Sequence, residues 1–249
     1  MITEYYRPET LPEALELLKQ PDTLPLGGGT LLSTLKSASV KVVDLQNLGL
    51  NTLHKKGNNL EIGATVTLQQ LLESEHTPEA LRTALKLEAP LNIRNIATVA
   101  GTLVPADGRS TFTTVMLALD AKLTIVNPKS EIVNLGEFLP LRPDNLSGSL
   151  IITITIPLNV KLAFESVART PADKPIVCAA LASWPSGRTR LALGGYGKSP
   201  LLAMDGTEAE GLEEAAQNAF HEATDEWASA EYRMNVAVTL AKRCLEKIK

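Results

Sequence analysis

The sequence predicts an α+β fold in two parts, and three observations support this prediction. Short helical patterns alternate with short apolar strands over the first 127 residues. Residues 151–156 (IITITI) then alternate between apolar and polar side chains and end at Pro157. After this proline, three strand patterns are followed by two helical patterns. We therefore expect a large N-terminal α+β domain and a second, smaller α+β domain from about residue 162.

Capping residues and periodicity define the elements of the first part. Residues 11–18 (LPEALELL) place apolar side chains on one helical face, with Thr10 as N-cap and Glu13 at capping-box spacing. Residues 41–45 read as a buried strand, and residues 60–64 as a half-buried one. Further helices are predicted at 68–74 after Thr67, at 78–87 and at 115–119, and further strands just before Gly27, at 122–126 and at 151–156.

The second part reads as strands followed by helices. The turn signals TPADKP and WPSGR separate three apolar strand patterns. In the last helical pattern, apolar side chains recur every four residues, and Tyr232 and Arg233 near its start are predicted to join the two domains. The predicted strands are 164–168, 176–182 and 189–195, and the predicted helices are 212–220 and 229–248.

Composition and charge exclude several classes of protein. The 249 residues are 44% apolar and 21% charged, with 24 basic and 28 acidic side chains and a net charge of −4. Without a basic tract, nucleic acid is not an expected partner. No apolar run approaches the roughly 20 residues of a membrane helix, and MITEYYRPET does not resemble a signal peptide. We therefore expect a cytoplasmic protein without a membrane span.

The sequence offers no set of metal ligands and no catalytic dyad. Cys178 and Cys244 lie in apolar patterns and read as buried small residues. Two thiolates cannot hold a four-cysteine iron–sulfur cluster, and the three histidines have no zinc-type spacing. A GxSxG elbow is also absent. We expect neither a catalytic side chain nor a metal site in this chain.

Two segments combine glycine with threonine, each after a predicted strand. These are LGGGT at residues 26–30 and TVAGT at residues 98–102. Glycine amides without side chains can converge on an anion, and a hydroxyl adds a hydrogen bond. Either segment alone is also explained as a tight turn. Two such segments meeting in space would form a cradle for a pyrophosphate, although neither is a Rossmann fingerprint or a P-loop.

Taken together, the motifs resemble one family along nearly the whole chain. LGGGTLL resembles a first flavin loop of the type AGGTDLL, and IRNIATVAGTL resembles a second of the type IRN-x-ATIGGNL. Between them, VVDLQNLGLNTL and LEIGATVTLQQL are similar to a VDL…GL…L-x-IGA-x-T segment, and SAEYR precedes a long C-terminal helix. The chain thus resembles the FAD-binding middle subunit of molybdenum hydroxylases, the carbon monoxide dehydrogenase and xanthine dehydrogenase family.

This resemblance implies an architecture, a cofactor and partners. It implies an FAD-binding domain of the PCMH/VAO type over residues 1–160, with subdomains at about 1–52 and 53–160 and FAD between them. Residues 162–249 would form the small C-terminal α+β domain. An iron–sulfur subunit would deliver electrons to the FAD, and a molybdopterin subunit would oxidise the substrate. The low cysteine count agrees with clusters on a separate subunit.

The resemblance also implies cofactor-binding residues. The two glycine segments would hold the pyrophosphate, and the IGA segment would lie near the cofactor. The segment DGRST would stand where the family has SP-x-x-D near the ribityl and flavin end. The implied residues are Leu26, Gly27, Gly28, Gly29, Thr30, Leu31, Gly63, Ala64, Thr98, Ala100, Gly101, Thr102, Asp107 and Thr111.

The sequence departs from the family pattern at several of these positions. Leu31 replaces an aspartate, Thr102 replaces an asparagine, and Asp107 and Thr111 replace a serine and an aspartate. Ser166 stands where the family often has a lysine. Either Asp107 or Arg109 supplies replacement contacts in a different flavin environment, or the flavin site is weakened. Each lost polar contact would cost about 0.5–1.5 kcal/mol.

The expected function is therefore that of an electron-transfer flavoprotein subunit. Electrons from a partner's iron–sulfur clusters would pass through FAD to NAD, a quinone or oxygen. The alternative is a non-enzymatic assembly subunit of the same complex with a degenerate flavin site. A third hypothesis is a stand-alone flavin oxidoreductase of the same wider fold class.

Overall fold

The helices and strands of a computed structural model fall into two units. The structure describes residues 1–32, 39–127, 129–142, 146 and 148–249. The first unit comprises Met1–Ser74, Leu91–Pro105 and Lys122–Thr155, and the second comprises Glu75–Pro90, Ala106–Ala121 and Ile156–Lys249. The α+β fold class is confirmed, because both units combine helices with sheets. The predicted domain boundary near residue 160 stays a prediction.

The first unit contains two sheets and several short helices. A three-stranded parallel sheet has the order β1-β3-β2, and a five-stranded sheet has the order β4-β5-β8-β6-β7. Its strands are β1 Ile2–Tyr6, β2 Thr23–Leu26, β3 Val40–Asp44, β4 Leu53–Lys56, β5 Asn59–Gly63, β6 Lys122–Asn127, β7 Lys129–Asn134 and β8 Leu150–Pro157. Its helices are α1 Leu11–Leu18, α2 Leu68–Glu73, α4 Leu91–Arg94, α5 Val99–Leu103 and α7 Leu135–Phe138.

Helix α1 begins as the sequence predicts. The Thr10 side chain accepts a hydrogen bond from the Glu13 amide, and Pro12 occupies the first turn. The buried face of α1, with Leu15 and Leu18, packs against Val43 and Leu150 from the sheets. This packing places the turn after α1 and the start of β2 at one edge of the parallel sheet.

The second unit is a four-stranded antiparallel sheet between helices. The strand order is β12-β11-β10-β9. Its strands are β9 Lys161–Val167, β10 Val177–Ser183, β11 Arg188–Gly194 and β12 Leu201–Thr207, and its helices are α3 Glu79–Glu88, α6 Thr111–Ala118, α8 Leu212–Asn218 and α9 Ala230–Ile248.

Helices cover both faces of this sheet, which explains the unbroken apolar sequence of β10. Val177, Ala179 and Leu181 share one core with α8 and α9. On the opposite face, the Cys178 thiol contacts the Thr114 hydroxyl of α6 at 3.6 Å. All residues of α6 are buried. The interpretation of both cysteines as buried small residues is confirmed, and burial raises the pKa of each thiol to about 12.

A cluster of four charged side chains ties the sheet to the end of α6. The Arg188 guanidinium donates to both carboxylate oxygens of Asp205 at 2.8 Å and to Asp120 at 2.9 Å. Arg190, which is buried, donates to the same two carboxylates and to the Leu117 carbonyl. Hydrogen bonds from Arg188 lower the pKa of Asp205. The cluster therefore stabilises the second unit most when the Asp205 carboxylate is ionised.

Most predicted elements are found within one to four residues of their expected ends, but some strands were missed. Strands β1, β4, β7 and β12 have mainly exposed or half-buried side chains and give no strong periodic signal. The prediction that TVAGT follows a strand is wrong. Residues 98–102 instead begin helix α5, and a short helix, α4, precedes them.

The interpretation of Arg233 as a link between the predicted domains is also wrong. The fully buried Arg233 guanidinium donates to the carbonyls of Ala223 at 2.6 Å and Ala228 at 2.8 Å. It also binds the Asp225 carboxylate at 2.7 Å. These partners lie within the second unit, where the hydrogen bonds of Arg233 connect the start of α9 to the loop at residues 223–228.

Within the described residues, no helix is both long enough and apolar enough to cross a membrane. The same residues contain no group of three or more histidine, cysteine or acidic side chains arranged to hold a metal ion.

The charge cluster predicts a pH-dependent stability. Because the folded-state pKa of Asp205 is lowered, its stabilising contribution is present above the ordinary aspartate range and is lost as the pH falls through the folded pKa. Replacing Asp205→Asn should lower the free energy of unfolding by about 1–3 kcal/mol at neutral pH. The loss should shrink at an acidic pH below the ordinary aspartate range, because the wild-type carboxylate becomes protonated as the pH falls through its lowered pKa. Urea unfolding of the wild type and the variant, at neutral pH and at this acidic pH, measures the difference in the free energy of unfolding.

The control is Glu208→Gln, because this exposed side chain makes no ion pair that the described residues reveal. Its stability should match the wild type at both pH values. A loss in Asp205→Asn that is equal at neutral and acidic pH would contradict the electrostatic explanation.

Candidate functional site

The triple glycine lies directly after strand β2 and touches the second glycine segment. A Cβ atom on Gly28 would lie 1.7 Å from the Ile96 carbonyl oxygen, so only glycine fits there. Gly29 has a φ of +73°, which side-chain-bearing residues rarely adopt. A Cβ on Gly27 would approach the Thr98 hydroxyl to 2.8 Å. Gly27 and Gly28 therefore allow the loop to pack against residues 96–98, and Gly29 allows its left-handed backbone conformation.

The second segment is held by a helix cap. Thr98 is the N-cap of α5, and its hydroxyl accepts a hydrogen bond from the Gly101 amide at 3.1 Å. A Cβ on Gly101 would lie 2.7 Å from that hydroxyl. The Thr102 hydroxyl donates back to the Thr98 carbonyl at 2.9 Å. Thr98 thus lies at the junction of the two segments and fixes the first turn of α5.

Both segments line a cleft of about 700 Å³ in the first unit. The cleft follows β2 from the turn after α1 to the glycines, and residues 146 and 148–151 form part of its lining. Such a volume is typical of sites for small molecules and cofactors. Within the described part of the chain, the amides of Gly27, Gly28 and Gly29 donate no hydrogen bond. These half-buried amides leave the loop with donors for a ligand in the cleft.

The structure brings most of the predicted site residues to this cleft. The residues that line it are Gly27, Gly28, Gly29, Thr30, Leu31, Ala64, Thr98, Ala100 and Gly101. Leu26, Gly63 and Thr102 belong to the same unit but do not line the cleft. A Cβ on Gly63 would lie 2.1 Å from the Leu50 carbonyl oxygen, so this glycine is required by chain packing. The roles of all these residues in cofactor binding stay predictions.

Asp107 and Thr111 belong to the second unit and are engaged there. Asp107 accepts a hydrogen bond from the Arg109 amide and forms an ion pair with Lys174 at 2.7 Å. Thr111 is buried, and its hydroxyl donates to the Ala84 carbonyl and to Glu88. Their place in a cofactor site stays a prediction.

The Glu88 carboxylate fixes the beginning of α6. One of its oxygens accepts hydrogen bonds from the Ser110 hydroxyl, the Thr111 hydroxyl and the Phe112 amide at 2.9–3.1 Å. Burial nevertheless raises the pKa of Glu88, an effect that these hydrogen bonds oppose. Thr111 therefore has a structural role that the sequence did not indicate.

Sequence reasoning missed the far half of the cleft. Lys19, Asp22 and Asn127 line it, together with Ser149 and Leu150. These residues lie in turns and at strand ends and form no motif along the chain. The packing of α1 against the sheets brings these residues together. The apolar face of α1 predicts that packing from the sequence, but it does not specify which polar residues face the cleft.

The sequence of this chain matches the model of a known protein family. Residues 1–159 match the family model described as "FAD binding domain in molybdopterin dehydrogenase". The chain belongs to this family. The predicted family and its cofactor FAD are thereby confirmed, and the match contains the whole glycine-lined cleft.

Proteins similar to this chain in sequence are found in Escherichia coli and Sulfolobus acidocaldarius. The uncharacterized protein YgfM of Escherichia coli K12 is 29% identical over 248 residues, covering 96% of this chain and 94% of YgfM. The glyceraldehyde dehydrogenase medium chain of Sulfolobus acidocaldarius is 28% identical, covering 81% and 78% of the two chains. The xanthine dehydrogenase FAD-binding subunit of Escherichia coli O157:H7 is 34% identical, covering 50% and 46%.

Solved structures share the fold of the family. A chain of the Cu,Mo-CO dehydrogenase in its cyanide-inactivated form has a TM-score of 0.84 and 24% identity, covering 100% of this chain and 98% of that one. A chain of quinoline 2-oxidoreductase from Pseudomonas putida 86 has a TM-score of 0.82 and 23% identity, covering 98% and 96%. The predicted fold type is confirmed by this likeness.

The contact between the glycine segments predicts a specific sensitivity. Replacing Gly28→Ala should destabilise the protein by about 1–3 kcal/mol, because the new methyl group overlaps the Ile96 carbonyl oxygen and forces the segments apart. Gly206→Ala in β12 is the control, since its Cβ would meet only the Met204 methyl at 3.6 Å. Thermal unfolding of both variants measures the difference. Equal melting temperatures would contradict this close approach.

Proposed function

We propose that this chain is the flavin subunit of a molybdenum hydroxylase complex. In this function it carries electrons from the iron–sulfur clusters of a partner to an acceptor such as NAD, a quinone or oxygen. Substrate oxidation would belong to a molybdopterin subunit, and the complex would work in the cytoplasm. The observation that carries the proposal is the glycine-lined cleft within the region that matches the FAD-binding family.

The residues of the cleft fit the diphosphate of FAD. The Gly27, Gly28 and Gly29 amides donate no hydrogen bond within the described chain, and Gly27 lies beside Thr98. Amides of successive loop residues form a concave donor site that suits an anion. The absence of side chains at these positions lets a ligand approach the backbone closely. We assign the diphosphate to Gly27, Gly28, Gly29 and Thr98.

The role of the protein in the chemistry is to bind FAD and to orient it. FAD, when bound, supplies the two-electron redox chemistry. The described lining of the cleft contains no histidine or cysteine, and its charged side chains are Lys19 and Asp22. We therefore assign no acid or base to the cleft. Its residues would hold the cofactor and exclude water from the diphosphate.

An assembly subunit that has lost the flavin is a second candidate, favoured by three substitutions. Leu31 lines the cleft where the family pattern has an aspartate. Asp107 is paired with Lys174, and the Thr111 hydroxyl is used by Ala84 and Glu88. None of the three is a direct replacement for the polar contacts of the family pattern. In this case the chain would join the iron–sulfur and molybdenum subunits without carrying electrons.

The experiment that separates these functions is a titration of the purified full-length chain with FAD. The flavin subunit should be yellow, or become so on addition of FAD, and should retain the flavin absorption band after gel filtration. Replacing Ala100→Trp should weaken FAD binding by roughly tenfold or more, because the indole would fill the cleft beside the glycines.

The matched control is Asn58→Trp, which adds the same side chain to an exposed turn of the same unit, away from the cleft. Its FAD affinity should equal that of the wild type. A wild-type chain that stays colourless with added FAD, but co-purifies with partner subunits free of flavin, would instead establish the assembly function.

A further inference from the structure

The cleft extends well beyond the glycines along the free edge of β2. Strand β2 pairs with β3 on one side only, and Thr23, Leu24 and Pro25 line the cleft. Its four residues span about 13 Å. A ligand whose diphosphate lies at the glycine end therefore has room for one arm along β2, as far as the turn after α1.

That distant end has a distinct chemistry. Leu18, Leu24, Leu146 and Leu150 supply apolar surface there. Among the described residues that line the cleft, Lys19 is the one cation and Asp22 the one acid. An aromatic base with hydrogen-bond acceptors and a donor on its edge matches an apolar slot with one cation and one carboxylate.

Lys19 is placed to reach into this slot. It is the C-cap residue of α1, and a Cβ on Gly148, which also lines the cleft, would lie 3.6 Å from the Lys19 Cγ atom. The Lys19 ammonium binds the Glu16 carboxylate at 2.5 Å, but both side chains are substantially exposed. Such surface pairs contribute only about 0–1 kcal/mol, so a ligand acceptor can compete for the ammonium.

We propose that Lys19 is a specificity-determining residue that recognises the adenine of FAD, with Asp22 beside it. This inference rests on the proposed flavin function. The isoalloxazine ring has to remain accessible to the redox partners, which assigns the adenosine arm to the β2 edge. The Lys19 ammonium donates to a ring nitrogen of the adenine, and the Asp22 carboxylate accepts from the exocyclic amine.

The test measures the affinities of the full-length protein for FAD and for ADP. The ADP affinity is obtained from a competition titration, in which ADP displaces bound FAD. Lys19→Met should weaken both affinities by the same factor, roughly 3- to 10-fold, as expected for loss of one hydrogen bond. Glu16→Gln should tighten FAD binding by about twofold, because it releases the ammonium from its ion pair. Lys55→Met, on the exposed strand β4, should change neither affinity.

Three outcomes would overturn the inference while leaving the flavin function intact. They are a Lys19→Met variant with wild-type FAD affinity, a failure of ADP to displace FAD, and a Lys55→Met variant that is weakened as much as Lys19→Met. A folded wild-type chain that binds no FAD at all would overturn the proposed function and this inference together.

Discussion

The close approach of Gly28 to the Ile96 carbonyl is the constraint on which the cleft depends. A methyl group at this position would lie 1.7 Å from the oxygen, well inside any tolerable contact. Gly27 lies against Thr98, the N-cap of α5, and Gly29 has a positive φ directly after these contacts. Two segments about 70 residues apart in sequence thus form one wall of the cleft, and Gly27 and Gly28 are required for this chain packing.

A position can require glycine because a neighbouring chain segment packs closely against it, or because its backbone lines a cleft. The sequence does not distinguish these two cases, but the structure does. Gly63 is excluded from bearing a side chain by the Leu50 carbonyl, away from the lining of the cleft. Gly27 and Gly28 meet the neighbouring segment, and both line the cleft with amides that donate no hydrogen bond within the described residues. Glycines in different segments of the family pattern are therefore under different structural constraints, and mutations at them are expected to have different effects on folding and on binding.

Much of the fold was predictable because its strongest signals are local. The Thr10 and Thr67 caps, and the apolar stripe of the last helix, each depend on residues within one or two turns. The exposed edge strands β1, β4 and β7 lack that signal, since few of their side chains are buried. In the site, the glycine segments were predictable from their composition. Lys19 and the Thr111–Glu88 contact were not, because they depend on which distant segments fold together.

The interleaving of the two units has a consequence for dissecting the protein. Helices α3 and α6 come from the middle of the chain but complete the second unit, where α6 covers the Cys178 face of the sheet. A fragment starting at residue 156 would lack both helices and would expose an apolar sheet surface to water, together with an arginine, Arg190, deprived of Asp120. The C-terminal region is therefore a poor candidate for expression as an autonomous piece, and crystallographic or binding work on it calls for the intact polypeptide.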